Sequence, residues 1–335
     1  MKDSRGWVRW GRMVSGAVGL GLALAGCGGQ QSALNPAGPE AARTALWWWI
    51  MFALAMIVLA VVITLVLVGL MRRRDPGETG RDGRWVGVVL IGGAAVPAVV
   101  LAVLMSVNVA TEHASAAASG PPVMTIQVIG HRWWWEVVYP KQGFSTANEI
   151  HIPVGQPVRL LLNSDDVIHS FWVPELAGKT DMIPGQTNEM LLQANRAGVY
   201  RGQCAELCGE EHAKMAFIVQ AQAPGSFNTW LQAQAQEAPV PTTDEERQGQ
   251  QVFLSSACVY CHAVRGTNAS SRFGPDLTHL MSRSTLGAGT IPNTLANLAG
   301  WVVDSQSIKP GNKMPPMYMD SKQLHALLQY LKLLQ

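Results

Sequence analysis

A chain of 335 residues has room for two or three domains. Its charged fraction of 14% lies well below the roughly 25% of ordinary soluble proteins, and twelve tryptophans add to its apolar character. A net charge of +2, with no basic patch interleaved with aromatics, argues against a nucleic-acid-binding class, and the composition points to a membrane protein.

Residues 1–26 have the layout of a signal peptide: Lys2, Arg5, Arg9 and Arg12 precede an apolar stretch ending in small residues. Leu24-Ala25-Gly26 before Cys27 resembles a bacterial lipoprotein box, which implies lipidation at Cys27 and an extracytoplasmic segment at 27–44. Two uncharged runs follow, 44–71 between Arg43 and Arg72, and 85–111 between Arg84 and Glu112. A hydrocarbon core about 30 Å thick needs roughly 20 helical residues, so transmembrane helices are expected at 45–71 and 85–110. Trp47, Trp48 and Trp49 fit an interfacial aromatic belt. Arg72, Arg73, Arg74, Arg81 and Arg84 mark the 72–84 loop as cytoplasmic, which puts everything after residue 112 outside the cell membrane of a bacterium.

A small-residue linker is expected at 114–122. Beyond it, short runs rich in branched residues and broken by Gly, Pro and Asn predict an all-β sandwich over 122–223. Residues 224–242 read as a polar, Pro-bearing linker with room for a short helix, and 243–335 as an all-α domain. The fold class expected is therefore a multidomain membrane protein: a two-helix transmembrane hairpin, a β-sandwich and a helical domain.

Of five cysteines, Cys27 belongs to the lipobox and the others form two pairs. A disulfide is the default for paired cysteines in an oxidising compartment, but each pair here has metal-ligand neighbours. In "CAELCGEEHAKM", Cys204, Cys208, His212 and Met215 fall at gaps of four, four and three, which a helix face would also produce. The strand-like "AGVYRGQ" before them and Gly209 among them favour a loop leaving a strand. Thiolate, imidazole and thioether are a soft set that suits copper. A second thiol allows two metals, and His169 in "DDVIHSFWVPEL" offers a second imidazole.

The ligand loop together with "VIHSFWVPELAGKTDMIPGQ" resembles subunit II of cytochrome c oxidase, over roughly residues 45–222. The resemblance implies a cupredoxin domain with a binuclear CuA centre: Cys204 and Cys208 bridging two copper ions, His169 and His212 as ligands, Met215 and the Glu206 carbonyl as weaker ones. It also implies a magnesium site, shared with subunit I, at the Glu206 side chain. In "GHRWWWEVVYP", Trp133, Trp134 and Trp135 correspond to the family's patch where electrons arrive from cytochrome c. Strand alternation leaves at least one of them exposed, and Trp133 is the expected input residue. Asp165 and Asp166 read either as an acidic rim for a basic cytochrome or as a solvated turn. Gln186 stands where the family has an arginine.

"CVYCH" is the haem c attachment pattern, with Cys258 and Cys261 bonded to the haem and His262 on the iron. Met314 or Met317 in "PGNKMPPM" supplies a sixth ligand, and the resemblance to class I cytochromes c selects Met314. It leaves Met317 and Met319 to line or rim the pocket. Pro275 corresponds to the residue whose carbonyl holds the proximal imidazole. Thr243 with Glu246 and Asp320 with Gln323 form capping boxes, Gly249 and Phe253 match the family's helix contact, and His279 and His325 read as surface residues. A CuA domain with a fused cytochrome c resembles subunit II of a caa3-type oxidase. That implies an electron-input subunit anchored in the lipid bilayer, with cytochrome c as donor and subunit I as acceptor. A CuA subunit of another terminal reductase, such as a nitric oxide reductase, and a copper chaperone are the rival readings, while a quinol oxidase subunit lacks these copper ligands.

Overall fold

The computed structural model describes residues 29–71, 83–118 and 120–335. The expected signal segment, Cys27 and nearly all of the 72–84 loop lie outside the described residues. Residues 43–121 form one compact unit, and residues 29–42 with 122–335 form another.

Helix α1 spans Pro39–Met71 and begins ahead of the expected residue 45. Pro39 has no N–H to leave unpaired in a first turn, and Glu40 complements the positive helix end. The second apolar run is helix α2 (Gly83–Leu90), a π-turn (Ile91–Ala95) and helix α3 (Val96–Ala118). The π-turn contains Gly93, four residues before Pro97, where the proline ring would strike the carbonyl of a regular α-helix. Residues 114–118, expected as linker, are helical instead. Their alanines are the strongest helix formers, and no Pro or Gly interrupts before residue 120. Both apolar helices are long enough to cross a membrane.

Ten strands follow: β1 (Met124–His131), β2 (Trp134–Tyr139), β3 (Phe144–Ala147), β4 (Glu149–Pro153), β5 (Val158–Ser164), β6 (His169–Trp172), β7 (Thr180–Met182), β8 (Asn188–Leu192), β9 (Gly198–Cys204) and β10 (Ala216–Gln222). They form two five-stranded sheets, ordered β3-β2-β1-β5-β8 and β4-β10-β9-β6-β7. Strand pairs β1–β5 and β4–β10 are parallel and the other neighbours antiparallel. Period-two alternation places Val158, Leu160 and Leu162 of β5 wholly inside, between the sheets. Helix α4 (Pro224–Gln234) occupies the expected linker, and its Trp230 stacks on His151 with centroids 3.7 Å apart.

The helical domain contains α5 (Asp244–Ser255), α6 (Leu295–Val303), the short α7 (Ser305–Ile308) and α8 (Ser321–Leu333). Both expected capping boxes are formed, Thr243 with Glu246 and Asp320 with Gln323. Helices α5 and α8 cross at Gly249, where a Cβ would stand 2.0 Å from the Ala326 carbonyl oxygen. Gly249→Ala must therefore push the helices apart. We expect a loss of roughly 1–3 kcal/mol of domain stability by denaturant unfolding, the scale of core overpacking.

The helical domain seats directly on the sandwich. Arg272 Nη2 lies 3.0 Å from Glu136 Oε1, and Ser284 donates from its N and Oγ to Glu149 Oε1 at 2.7 and 2.6 Å. Burial pushes both carboxyls up, but hydrogen bonds outweigh it: from His131 and Arg272 at Glu136, and from His151 and Ser284 at Glu149. Both pKa values end below the ordinary 4.5. Their stabilisation is thus present above pH 4.5 and lost as pH falls through the lower folded values. Acidification below that point should separate the two domains, read as faster proteolysis within 235–243. The double variant Glu136→Gln/Glu149→Gln should lose this pH dependence.

Candidate functional site

Strand β9 ends at Cys204 and β10 begins at Ala216, so everything between is a loop. Gly209, at φ +123°, and a 3₁₀ turn at His212–Lys214 fold it, so the four residues do not lie on one helix face. Cys204 N donates to Met215 O at 3.0 Å and closes the loop at its base. Ala205 N donates to Ser170 O, also at 3.0 Å, which ties it to β6 and brings His169 alongside.

The six expected donors converge in two lobes. Cys204 Sγ lies 3.8 Å from His169 Nδ1 and 3.1 Å from the Glu206 carbonyl. Cys208 Sγ lies 3.5 Å from His212 Nδ1 and 3.7 Å from Met215 Sδ. Ligand atoms of His169, Cys204 and Cys208 all fall within 4.8 Å of one another, and both cysteines are free thiols. Each lobe thus pairs a sulfur and an imidazole nitrogen with one weaker donor, a set that fits soft metal ions. Hydrogen bonding between the sulfurs, helped by His169, drives the Cys204 pKa down and the Cys208 pKa up, so the pair holds one proton where a metal would replace it.

The outer nitrogen of His169, Nε2, meets Asp166 Oδ1 at 3.0 Å. That carboxylate also accepts from Arg132 N at 2.8 Å and faces Lys313 Nζ at 3.7 Å. Burial raises its pKa, but the hydrogen bonds from His169, Arg132 and Val167 win and hold it far below the usual range. Asp166 is therefore a support for a ligand, while Asp165 alone is exposed. The Glu206 side chain turns outward and pairs with Lys179 at 3.5 Å, and Gln186 is exposed.

The triplet was expected to leave at least one tryptophan exposed; Trp133 and Trp134 are half-buried and Trp135 is fully buried. Trp135 is core, against Phe171 and Phe217. Trp134 stacks on His131 with centroids 4.5 Å apart. Trp133 packs on Gly209 and donates from Nε1 to Cys208 O at 3.1 Å. The helical domain covers the rest. Trp133 and Trp134 line a cavity whose other walls include Cys258, Cys261, His262 and Met314.

That cavity suits a haem. His262 Nδ1 pairs with Pro275 O at 2.7 Å, as expected, which leaves Nε2 for an iron. Burial lowers the His262 pKa and keeps the imidazole neutral, the ligating form. Met314 lines the cavity, while Met317 and Met319 pack on the domain core rather than on the cavity wall. His325 is exposed as expected, but His279 is buried, its two nitrogens bonded to the carbonyls of Gln335 and Gln236.

A family described as "Cytochrome C oxidase subunit II, periplasmic domain" matches residues 141–222, and one described as "Cytochrome c" matches residues 246–335. Cytochrome c oxidase subunit 2 of Alkalihalophilus pseudofirmus is 36% identical over 94% of this chain and 95% of its own length. The protein of that name from Bacillus subtilis is 33% identical over 62% of each chain. Quinol oxidase subunit 2 of Bacillus anthracis is 30% identical over 67% of this chain and 80% of its own.

Asp166 had no marked ligand-support role in the sequence, and it supplies a test. Loss of a carboxylate that orients a ligating imidazole typically costs about 10–100-fold in metal affinity. Asp166→Asn should therefore weaken copper binding by about tenfold or more in a chelator competition, with the haem spectrum unchanged.

Proposed function

This chain belongs to the cytochrome c oxidase subunit 2 family, and from that premise we propose how it serves as an electron-input subunit of a haem–copper oxidase. When bound, a haem c and a pair of copper ions supply one-electron storage, so that electrons from an external cytochrome c reach haem a of subunit I through this chain for oxygen reduction coupled to proton translocation. Cys258 and Cys261 would hold the haem covalently, and His262 and Met314 would serve its iron. Cys204, Cys208, His169, His212, Met215 and the Glu206 carbonyl would hold the copper ions. Glu206 would turn its carboxylate from Lys179 to a magnesium ion at the boundary with subunit I. The two spans anchor the chain in the cell membrane, the lipidated Cys27 adds a second anchor, and both redox domains lie on the extracytoplasmic side.

One observation carries this reading: Trp133 touches both sites. Its indole N–H holds the carbonyl of Cys208, and its ring lines the cavity that His262 and Met314 also line. The converging donors and the helical domain favour a cytochrome c-fed oxidase over a quinol oxidase.

Full-length protein purified with its oxidase should carry two coppers and one haem c per chain, with a multi-line mixed-valence copper signal by electron paramagnetic resonance. Cys204→Ser should abolish that signal, while Met215→Leu should keep copper with altered line splitting. A single copper per chain, or an intact two-copper signal in Cys204→Ser, overturns the assignment.

A further inference from the structure

Lys309 is only 2% exposed, and burial pulls its pKa from the ordinary 10.5 down to about 7. It follows α7 and stands five residues before Met314. Its Nζ donates to three carbonyl oxygens, those of Trp133 and Lys214 at 2.7 Å each and of Gly287 at 2.8 Å. An ammonium has three N–H donors, and here each has one acceptor.

The three acceptors are not equivalent pieces of surface. Trp133 packs on the ligand loop and lines the cavity. Lys214 sits in the loop between His212 and Met215. Gly287 belongs to the helical domain and lines the cavity. The amine therefore joins the bridging aromatic, the copper-binding loop and the haem wall at one point. The tie is returned: Lys214 Nζ donates to Ile308 O at 3.2 Å, and Ala216 N donates to Ala288 O at 3.0 Å. Ser284 to Glu149 is a second buried cross-domain contact, at β4 rather than at the ligand loop. The Arg272 side chain is 68% exposed and that of Lys313 is 45% exposed, so water screens both.

We propose that Lys309 is a positioning residue, a buried latch that fixes the haem-side domain on the copper-binding loop and so sets the geometry of transfer between the two centres. The proposal rests on the electron-input reading above. Lys309 is none of the residues assigned to hold either cofactor, although it lines the cavity itself, and its effect is assigned to domain placement.

The test uses the full-length chain in its oxidase, with both cofactors present. After rapid photoreduction of the haem, the rate of electron arrival at the copper centre is followed optically in the unsubstituted protein, Lys309→Met and Arg272→Gln. Lys309→Met should keep the haem and copper spectra and metal content. Its transfer rate should fall by roughly tenfold or more, since misplacements of about 1 Å act on that scale, and should become sensitive to solvent viscosity. Arg272→Gln, at a docking pair away from the ligand loop, should slow transfer clearly less than Lys309→Met does. If Lys309→Met does not accumulate, Lys309→Gln, which keeps two donors, is read the same way. An unchanged rate, loss of either cofactor from the variant, or equal slowing in Arg272→Gln overturns the latch. Absence of the copper or haem signal from the unsubstituted protein instead overturns the functional reading on which the latch rests.

Discussion

A single backbone closure, Cys204 N–H to Met215 O, governs the copper-binding end of the molecule. It forces the chain leaving β9 to return at once into β10, so the intervening residues must fold over the sandwich end. Two sulfurs are thereby held side by side in a dry place, where neither can relax toward water. His169 reaches them because β6 pairs with β9, with Phe171 opposite Cys204. A site whose donors are fixed by strand pairing changes little when an electron arrives, which is what an electron relay requires.

The same end of the sandwich is also a wall. Arg132, Trp133, Trp134 and Asn148 complete a cavity whose remaining lining comes from the helical domain, and the linking segment is no free tether. Trp230 is stacked on the sandwich side, while Arg265 holds the carbonyls of Gln234 and Ala235 from the helical side. Domains joined this way share one buried interface, and residues of both meet at Lys309.

Local patterns carried much of this into the sequence. The donor loop, both capping boxes and the Pro275 carbonyl are short-range signals and form as expected, and Met314 lines the cavity. The close crossing at Gly249 comes from the family pattern rather than from its neighbours. What was not legible depends on partners far away in the chain. His279 read as a surface residue because its acceptors lie 56 and 43 residues distant. Lys309, between an isoleucine and a proline, resembles any exposed lysine, since two of its acceptors are 176 and 95 residues away. The triplet was expected to leave one tryptophan exposed; Trp135 is taken into the sandwich core, and Trp133 and Trp134 are half-buried where the helical domain docks. The small-residue stretch at 114–118 failed for the opposite reason: its composition fits a linker, yet alanine also prolongs a helix.

The covered face of Trp133 changes the kinetics of supply. A docked, covalently attached donor occupies that face at an effective concentration no diffusing protein can match. In the proposed relay, handover between docked domains would not require an encounter, so ionic strength would have little purchase on it. A mobile donor arriving at the outer side of the helical domain must still collide through water, where charges separated by more than about 8–10 Å are screened at physiological salt. On the proposed route, salt would act on one leg and spare the other, dividing it into a collision-limited exterior step and a geometry-limited interior one.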